Sequence, residues 1–356
     1  MNQHAPHPPA AGHDARRALV LAWLESRPGG FDLRPDSLRP ASADASFRRY
    51  FRVDTAAGDS LIVMDAPPER EDVGRFCHVA GLLREAGLSV PQVFAQDAQQ
   101  GLLLLSDLGQ TTYLEALRQA RAEGAARRCD ELMRDALRAL VRLQGAQGAL
   151  PAYDGQRLQA ELDLFPRWYV GEHLGAQLTP AEQQGLRQVF DTLLAQALAQ
   201  PVVAVHRDYH SRNLMLLAPP DGANPGVLDF QDAVRGPITY DLVSLLRDAY
   251  IEWPEEQQID WAIRYWEAAR AAAFPVAPDF GAFYRDFEFM GLQRQIKVLG
   301  IFARLYHRDG KAQYLGDLPQ VLRYASAVAA RYREFAPLQR LLERLQGARR
   351  EHGYTF

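Results

Sequence analysis

Three oxygen-bearing side chains stand out by type and spacing. His206-Arg207-Asp208-Tyr209-His210-Ser211-Arg212-Asn213 has the form H-x-D-x-x-x-x-N and follows the apolar run Val202–Val205. Gly226-Val227-Leu228 is a second apolar run; it leads into Asp229-Phe230-Gln231-Asp232, and Asp229 stands 16 positions after Asn213. Phosphoryl transfer needs such a set. A carboxylate and an amide hold Mg2+ against triphosphate oxygens, and a second carboxylate takes the proton of the attacking hydroxyl. Asn213 and Asp229 are therefore the predicted metal ligands and Asp208 the predicted base, with ATP and Mg2+ as cofactors. Arg207 is no base, since guanidinium keeps its proton. Asp208 or Asn213 alone more often caps a turn. Their joint spacing after an apolar run, with Asp229 downstream, favours a metal–phosphate site.

Those residues need two short strands to carry them. Residues 202–205 and 226–228 are predicted to lie antiparallel and bring their polar ends to one spot. Before them the chain reads as a small β-rich lobe. Phe47 to Val53 alternates with period two, and Leu61–Met64, Val90–Ala95 and Leu102–Leu105 are further strands, with one more before Ser42. A helix over 72–86 ends at Gly87. From Thr111 on, helical patterns dominate, over 112–122, 128–145, 155–173, 180–199, 239–250, 255–272, 280–305 and 318–346, with Pro166 and Pro337 interrupting two of them. The expected fold is α+β and two-lobed: a tail over 1–13, a nucleotide-binding lobe over 14–106 and a catalytic, acceptor-binding lobe over 107–356, with a cleft between the lobes.

The chain has 356 residues, 47% hydrophobic and 24% charged, with a net charge of −4. That composition is globular and announces no nucleic-acid partner. Two cysteines, Cys77 and Cys129, exclude a disulfide scaffold and a Cys-rich metal site. No apolar run reaches the roughly 18 residues of a membrane span. Arg16-Arg17 and the apolar stretch to Leu24 read as an amphipathic first helix rather than a signal peptide. A cytoplasmic monomer or weak dimer, with no membrane partner, is expected.

The motif set resembles the aminoglycoside phosphotransferase family of the protein-kinase-like superfamily. The likeness rests on H-x-D-x-x-x-x-N, the Leu-Asp-Phe-x-Asp segment and the later Gly236-Pro237…Asp241, and it extends from Ser42 to about Tyr332. A narrower resemblance is to the members of that family that phosphorylate amino sugars at the 1-hydroxyl. It rests on Ser46–Arg52, Val63–Pro68, His206–Tyr209, Leu228–Ala233, Gly300–Arg304 and Arg308–Lys311. It implies ATP-dependent transfer to N-acetylmuramate and N-acetylglucosamine, feeding UDP-sugar synthesis in cell-wall recycling. It also implies a supporting role for His206 and Asp241, adenine contacts along Leu104-Leu105-Ser106-Asp107, and a phosphate loop over Ser42–Phe47 that includes Ser46. A same-fold kinase for another alcohol, and a non-catalytic nucleotide-binding protein, are the alternatives.

Two departures bear on the nucleotide. The phosphate loop lacks glycines, and the third strand carries Met64 and Asp65 where the family has a cation. Side-chain alternation puts Arg48 and Arg52 on one face of the neighbouring strand, so these are predicted to face the phosphates. No Glu stands at the family's helix partner position, near His78 and Val79. On the acceptor side, Asp232, Arg294 and Arg304 are the predicted contacts. The lactyl carboxylate of N-acetylmuramate would suit a cation, and Arg294, Lys297 and Arg304 all lie in one predicted helix. Phe165, Trp168 and Tyr169 have core spacing. His307 beside Arg304 could line the acceptor pocket or serve a helix end; His173 and His210 have no metal-ligand partners at suitable spacing.

Overall fold

A computed structural model describes residues 11–42, 47–218 and 222–351. Helix α1 (Ala11–Glu25) precedes strands β1 (Leu33–Ser42), β2 (Arg49–Thr55) and β3 (Ser60–Asp65), helix α2 (Val73–Glu85), and strands β4 (Val93–Asp97) and β5 (Leu102–Ser106). The strands form one antiparallel sheet in the order β1-β2-β3-β5-β4. The continuous apolar run Leu102–Leu105 is explained by burial on both faces. Leu102 and Leu104 pack with Phe51, Val53, Leu61 and Val63 under Val20 and Leu24 of α1. Leu103 and Leu105 point the other way, toward Met64 and the α2 residues Phe76, Val79 and Leu83.

The expected alternation of β2 holds, with a different meaning at its start. Phe51 and Val53 are core, but Phe47 is 59% exposed. The opposite face is buried too: Arg48 is 9% and Arg52 8% exposed. Residues 43–46 of the expected phosphate loop, Ser46 among them, lie outside the described residues.

The larger lobe begins with α3 (Tyr113–Ala122), α4 (Ala126–Gln144) and α5 (Gly155–Leu162), then a π-helical stretch, Phe165–His173, and α6 (Pro180–Ala199). Four short strands follow: β6 (Val202–Val205), β7 (Leu214–Met215), β8 (Gly226–Val227) and β9 (Val234–Pro237). The remainder is α7 (Tyr240–Leu246), α8 (Glu255–Ala271), α9 (Phe280–His307), α10 (Leu318–Arg331) and α11 (Ala336–Glu351). Pro166 opens the π-helical stretch, and Pro337 is the second residue of α11, where a missing N–H costs nothing.

One hydrophobic core runs through both lobes, joining Met64, Phe76 and Leu103 to Tyr113, Leu132, Val205, Phe230 and Tyr240. A second core lies wholly in the helical lobe and takes in Phe165 and Tyr169 with Phe289, Leu299 and Phe335. Helix α9 spans both cores and is buried without a break from Phe287 to Gly300. A Cβ on Gly300 would lie 2.5 Å from the backbone carbon of Leu164, so only glycine lets α9 approach the chain there. Among the described residues no helix is long and apolar enough to cross a membrane.

Candidate active site

The expected strand pairing is corrected by the structure. β6 pairs with β9, and β8 pairs with β7. Strands of two to four residues are too short to carry a readable period, so the sequence could not reveal these partners. The polar ends still meet, because side chains rather than a shared ladder join them. His206 Nε2 bonds the Leu228 carbonyl at 2.8 Å, and His206 Nδ1 accepts from the Asp208 N–H at 3.3 Å. One fully buried ring thus ties the Asp208 loop to the Asp229 strand end.

Asp241, at the start of α7 and 0% exposed, accepts the successive N–H groups of His206 (2.6 Å) and Arg207 (3.0 Å). Arg207 has φ +77° and Asp229 φ +61°, a left-handed backbone that non-glycine residues adopt at a cost of about 1–3 kcal/mol each. Such strain persists only when neighbours hold it, as Asp241 does for Arg207. Asp248, also 0% exposed, anchors the far side of the loop through the Ser211 N–H (3.0 Å) and hydroxyl (2.5 Å).

Asn213 and Asp229 converge beside Asp208. The Asn213 amide nitrogen donates to the Asp208 carbonyl at 2.9 Å and contacts Asp229 Oδ2 at 3.5 Å. The other atom of that amide, its oxygen, is of the type that ligates a hard cation. Asp229 Oδ1 accepts from Gln231 Nε2 (2.8 Å) and Arg48 Nη2 (3.2 Å). The donor set fits Mg2+, which takes one or two protein oxygens and completes its shell with phosphate and water. No cluster of three acidic, His or Cys ligands exists among the described residues.

Asp208 is half-buried. Burial pushes its carboxyl up, but Lys297, His210, Arg294 and Arg207 outweigh that and hold it below the usual carboxylate range. It is ionised at neutral pH.

The nucleotide-side residues resolve the missing strand cation. Asp65 is fully buried and faces α1, where it pairs with Arg16 and Arg49. It repels nothing in the cleft. Met64 faces α2, and Arg48, immediately before β2, is the cation that reaches Asp229, bridging it and Glu71 (3.5 Å). Glu71, two residues before α2, is thus the acidic partner that the sequence did not reveal. Arg52 sits on the same face but its guanidinium is spent on Asp107, at 2.5 and 2.9 Å, and on the Gly109 carbonyl. Ser60 also donates to Asp107, so this pair joins β2 and β3 to the turn after β5. Leu105 is buried behind that turn.

The acceptor-side residues divide. Arg294 is buried and near enough to Asp208 to act on its charge. Lys297 is not a free cation: its Nζ meets Glu161 at 3.0 Å and the Tyr240 hydroxyl at 2.7 Å. Arg207 (2.5 Å) and Tyr153 also bond Glu161. Glu161 occupies an apolar position in the stripe Leu158, Leu162, Phe165, a signal that could have flagged it. Arg304 lies ten residues, about 15 Å, further along α9, where it feels Arg308 and Asp309. Asp232 is half-exposed and pairs with Arg75 of α2 at 3.4 Å. Beside it Phe230 packs on Phe76 with centroids 4.8 Å apart, so α2 docks directly on the Asp229 segment. His173 and His307 contact each other at 3.4 Å, His307 lying in the last turn of α9 with Arg304.

Known proteins resemble this chain in sequence and in fold. The sequence profile of the phosphotransferase enzyme family matches residues 37–282. A relative from Neisseria meningitidis, named N-acetylmuramate/N-acetylglucosamine kinase, is 50% identical over 344 residues, covering 96% of this chain and 99% of that protein. A relative of the same name from Pseudomonas aeruginosa is 49% identical over 346 residues, 94% of this chain and 98% of that protein. The crystal structure of ADP-bound aminoglycoside phosphotransferase APH(2'')-Ib superposes with a TM-score of 0.54 at 15% identity, covering 87% of this chain and 98% of that one. A protein-kinase-like fold, a family profile over more than half of the chain and near-full-length relatives thus lead to one assignment: the chain belongs to the phosphotransferase enzyme family.

Proposed function

We propose that the chain uses ATP to phosphorylate the anomeric 1-hydroxyl of N-acetylmuramate and N-acetylglucosamine. The acceptor identity is supported by the two relatives at about half identity over nearly the whole length. The reaction type is carried by one observation, the convergence of Asp208, Asn213 and Asp229 through Asn213 and His206. An ADP-bound structural neighbour supports nucleotide use.

Each residue then has a task. Asp208 accepts the proton of the attacking hydroxyl; an anomeric hydroxyl is more acidic than an ordinary alcohol, so a carboxylate of low basicity suffices. Asn213 and Asp229 hold Mg2+. When bound, that ion neutralises charge on the triphosphate oxygens. Arg48 moves from Asp229 to the phosphates. The Arg52–Asp107 pair fixes the turn whose backbone, after Leu105, meets adenine, and Ser46 belongs to the loop over the phosphates. His206 and Asp241 keep the loop in its strained shape. Asp232 and Arg304 are weaker acceptor candidates than Arg294, given their positions. A sugar 1-phosphate is the substrate class for UDP-sugar synthesis, which fits cell-wall recycling in the cytoplasm.

A cationic acceptor such as an aminoglycoside or choline would meet Arg294 beside the base, which disfavours the same-fold alternative. An acceptor panel under an ATP-consumption assay tests the proposal. Turnover with both amino sugars and not with kanamycin or choline is expected. Consumption only with the cationic alcohols would overturn it.

A further inference from the structure

Arg294 lies in the middle of α9 and is 4% exposed, and its Nε and Nη1 are buried without a partner. Buried carboxylates of the adjoining segments are engaged elsewhere. Glu161 holds Lys297 and Arg207. Asp241 accepts two backbone N–H groups, and Asp248 accepts from Ser211 and the Tyr250 N–H. Among the described residues Arg294 has neither a hydrogen bond nor an ion pair. A buried guanidinium with idle N–H groups is unfavourable unless something binds it.

His210 adds a second idle atom from a different element. Its Nδ1 is buried without a partner, and its ring stands edge-on to Tyr250 at 5.2 Å. Geometry brings loop and helix together: Lys297, one turn along α9 from Arg294, pairs with Glu161, which also pairs with Arg207, the residue before Asp208, and the charges of Asp208, His210 and Arg294 are felt across that contact. The idle guanidinium donors of Arg294 suit an oxygen-rich group of the acceptor, with the unpartnered His210 nitrogen as a second polar contact.

We infer that Arg294, with His210 beside it, forms a carboxylate-reading subsite that makes N-acetylmuramate the preferred acceptor over N-acetylglucosamine. The inference rests on the amino-sugar reading above. The two sugars share the ring, the 1-hydroxyl and the acetamido group. They differ in the lactyl ether on O3, which ends in a carboxylate. Arg294 and that carboxylate satisfy each other through charge-assisted hydrogen bonds. The neutral sugar leaves the guanidinium as idle as it is in the free protein.

The test compares kcat/KM of the purified chain for N-acetylmuramate, its methyl ester and N-acetylglucosamine. The wild-type chain should prefer the acid over the ester by about 10- to 100-fold, mostly through KM. Arg294→Gln should abolish the preference for the acid over the ester, with a loss on the acid at least about tenfold larger than the loss on N-acetylglucosamine; Arg294→Lys should recover part of that difference. His210→Ala should give a smaller version of the same split. Equal use of acid and ester by the wild-type chain overturns the inference, and that comparison needs no variant to fold. So does an equal loss on all three acceptors in Arg294→Gln. Failure of the wild-type chain to phosphorylate any of the three would instead contradict the amino-sugar reading itself.

Discussion

Replacing Asp241 by alanine should loosen the catalytic loop without touching a reacting group. Asp241 is wholly buried and accepts two consecutive N–H groups, at 2.6 and 3.0 Å. The second belongs to Arg207, whose φ of +77° the bond helps to hold, and Asp208 comes next in the chain. Alanine leaves both N–H groups buried and unsatisfied, at about 1–3 kcal/mol each. The expected loss is therefore about 2–6 kcal/mol, from a total that for most domains is about 5–15 kcal/mol. Urea denaturation followed by circular dichroism measures it. Steady-state assays of the folded variant should show kcat reduced at least tenfold with the KM for ATP little changed, because the turn after β5 is untouched. A loss below about 1 kcal/mol with kcat within twofold of the wild-type chain would show that Asp241 does not hold this loop.

Other consequences follow from the same geometry. Burial pushes the Asp241 carboxyl up to about 6, against the pull of His206 and its two N–H donors. Being raised above its ordinary 3.8, it favours the fold below that pH, and this contribution, about 3 kcal/mol, is lost as pH rises through 6. Asp241→Asn lacks this dependence, so the stability advantage of the wild-type chain over it should shrink between pH 4 and 7.5; parallel urea midpoints across that range would contradict this. Glu161→Ala leaves the buried Lys297 and Arg207 without their carboxylate and should cost about 3–5 kcal/mol. Adding Lys297→Met should restore part of that in thermal melts, and no restoration would deny the pairing. Arg48→Met should raise the KM for ATP about tenfold while sparing the KM of the acceptor; an unchanged ATP KM would remove Arg48 from the phosphates.

The sequence made the elements legible where a period was long enough to read. Helix 180–199 emerges with those bounds, and the run Leu102–Leu105 is an interior strand buried on both faces. The three motif residues were legible as a set because their spacing is local. What stayed hidden was contact between distant segments. Nothing in Asp65 itself reveals that Arg16 and Arg49 neutralise it on the far face of the sheet. Nor could the helical pattern of 280–305 show which of its cations is idle, since α9 buries its polar residues as fully as its apolar ones over more than three turns. Arg52 and Arg48 look alike in sequence, yet one is locked to Asp107 and the other reaches Asp229. The β6–β9 and β7–β8 pairings depend on where the longer helices carry the chain.

The proposed reaction turns on Asp208 taking the proton at a site where Asn213 and Asp229 meet it. The most direct measurement is phosphorus NMR of the purified chain with ATP, Mg2+ and N-acetylmuramate, run beside Asp208→Ala at matched melting temperature. The wild-type chain should give a sugar 1-phosphate signal, and the variant should form it at least a thousandfold more slowly. A variant that makes the 1-phosphate at the wild-type rate, or a wild-type chain that places phosphate on another hydroxyl, would contradict it.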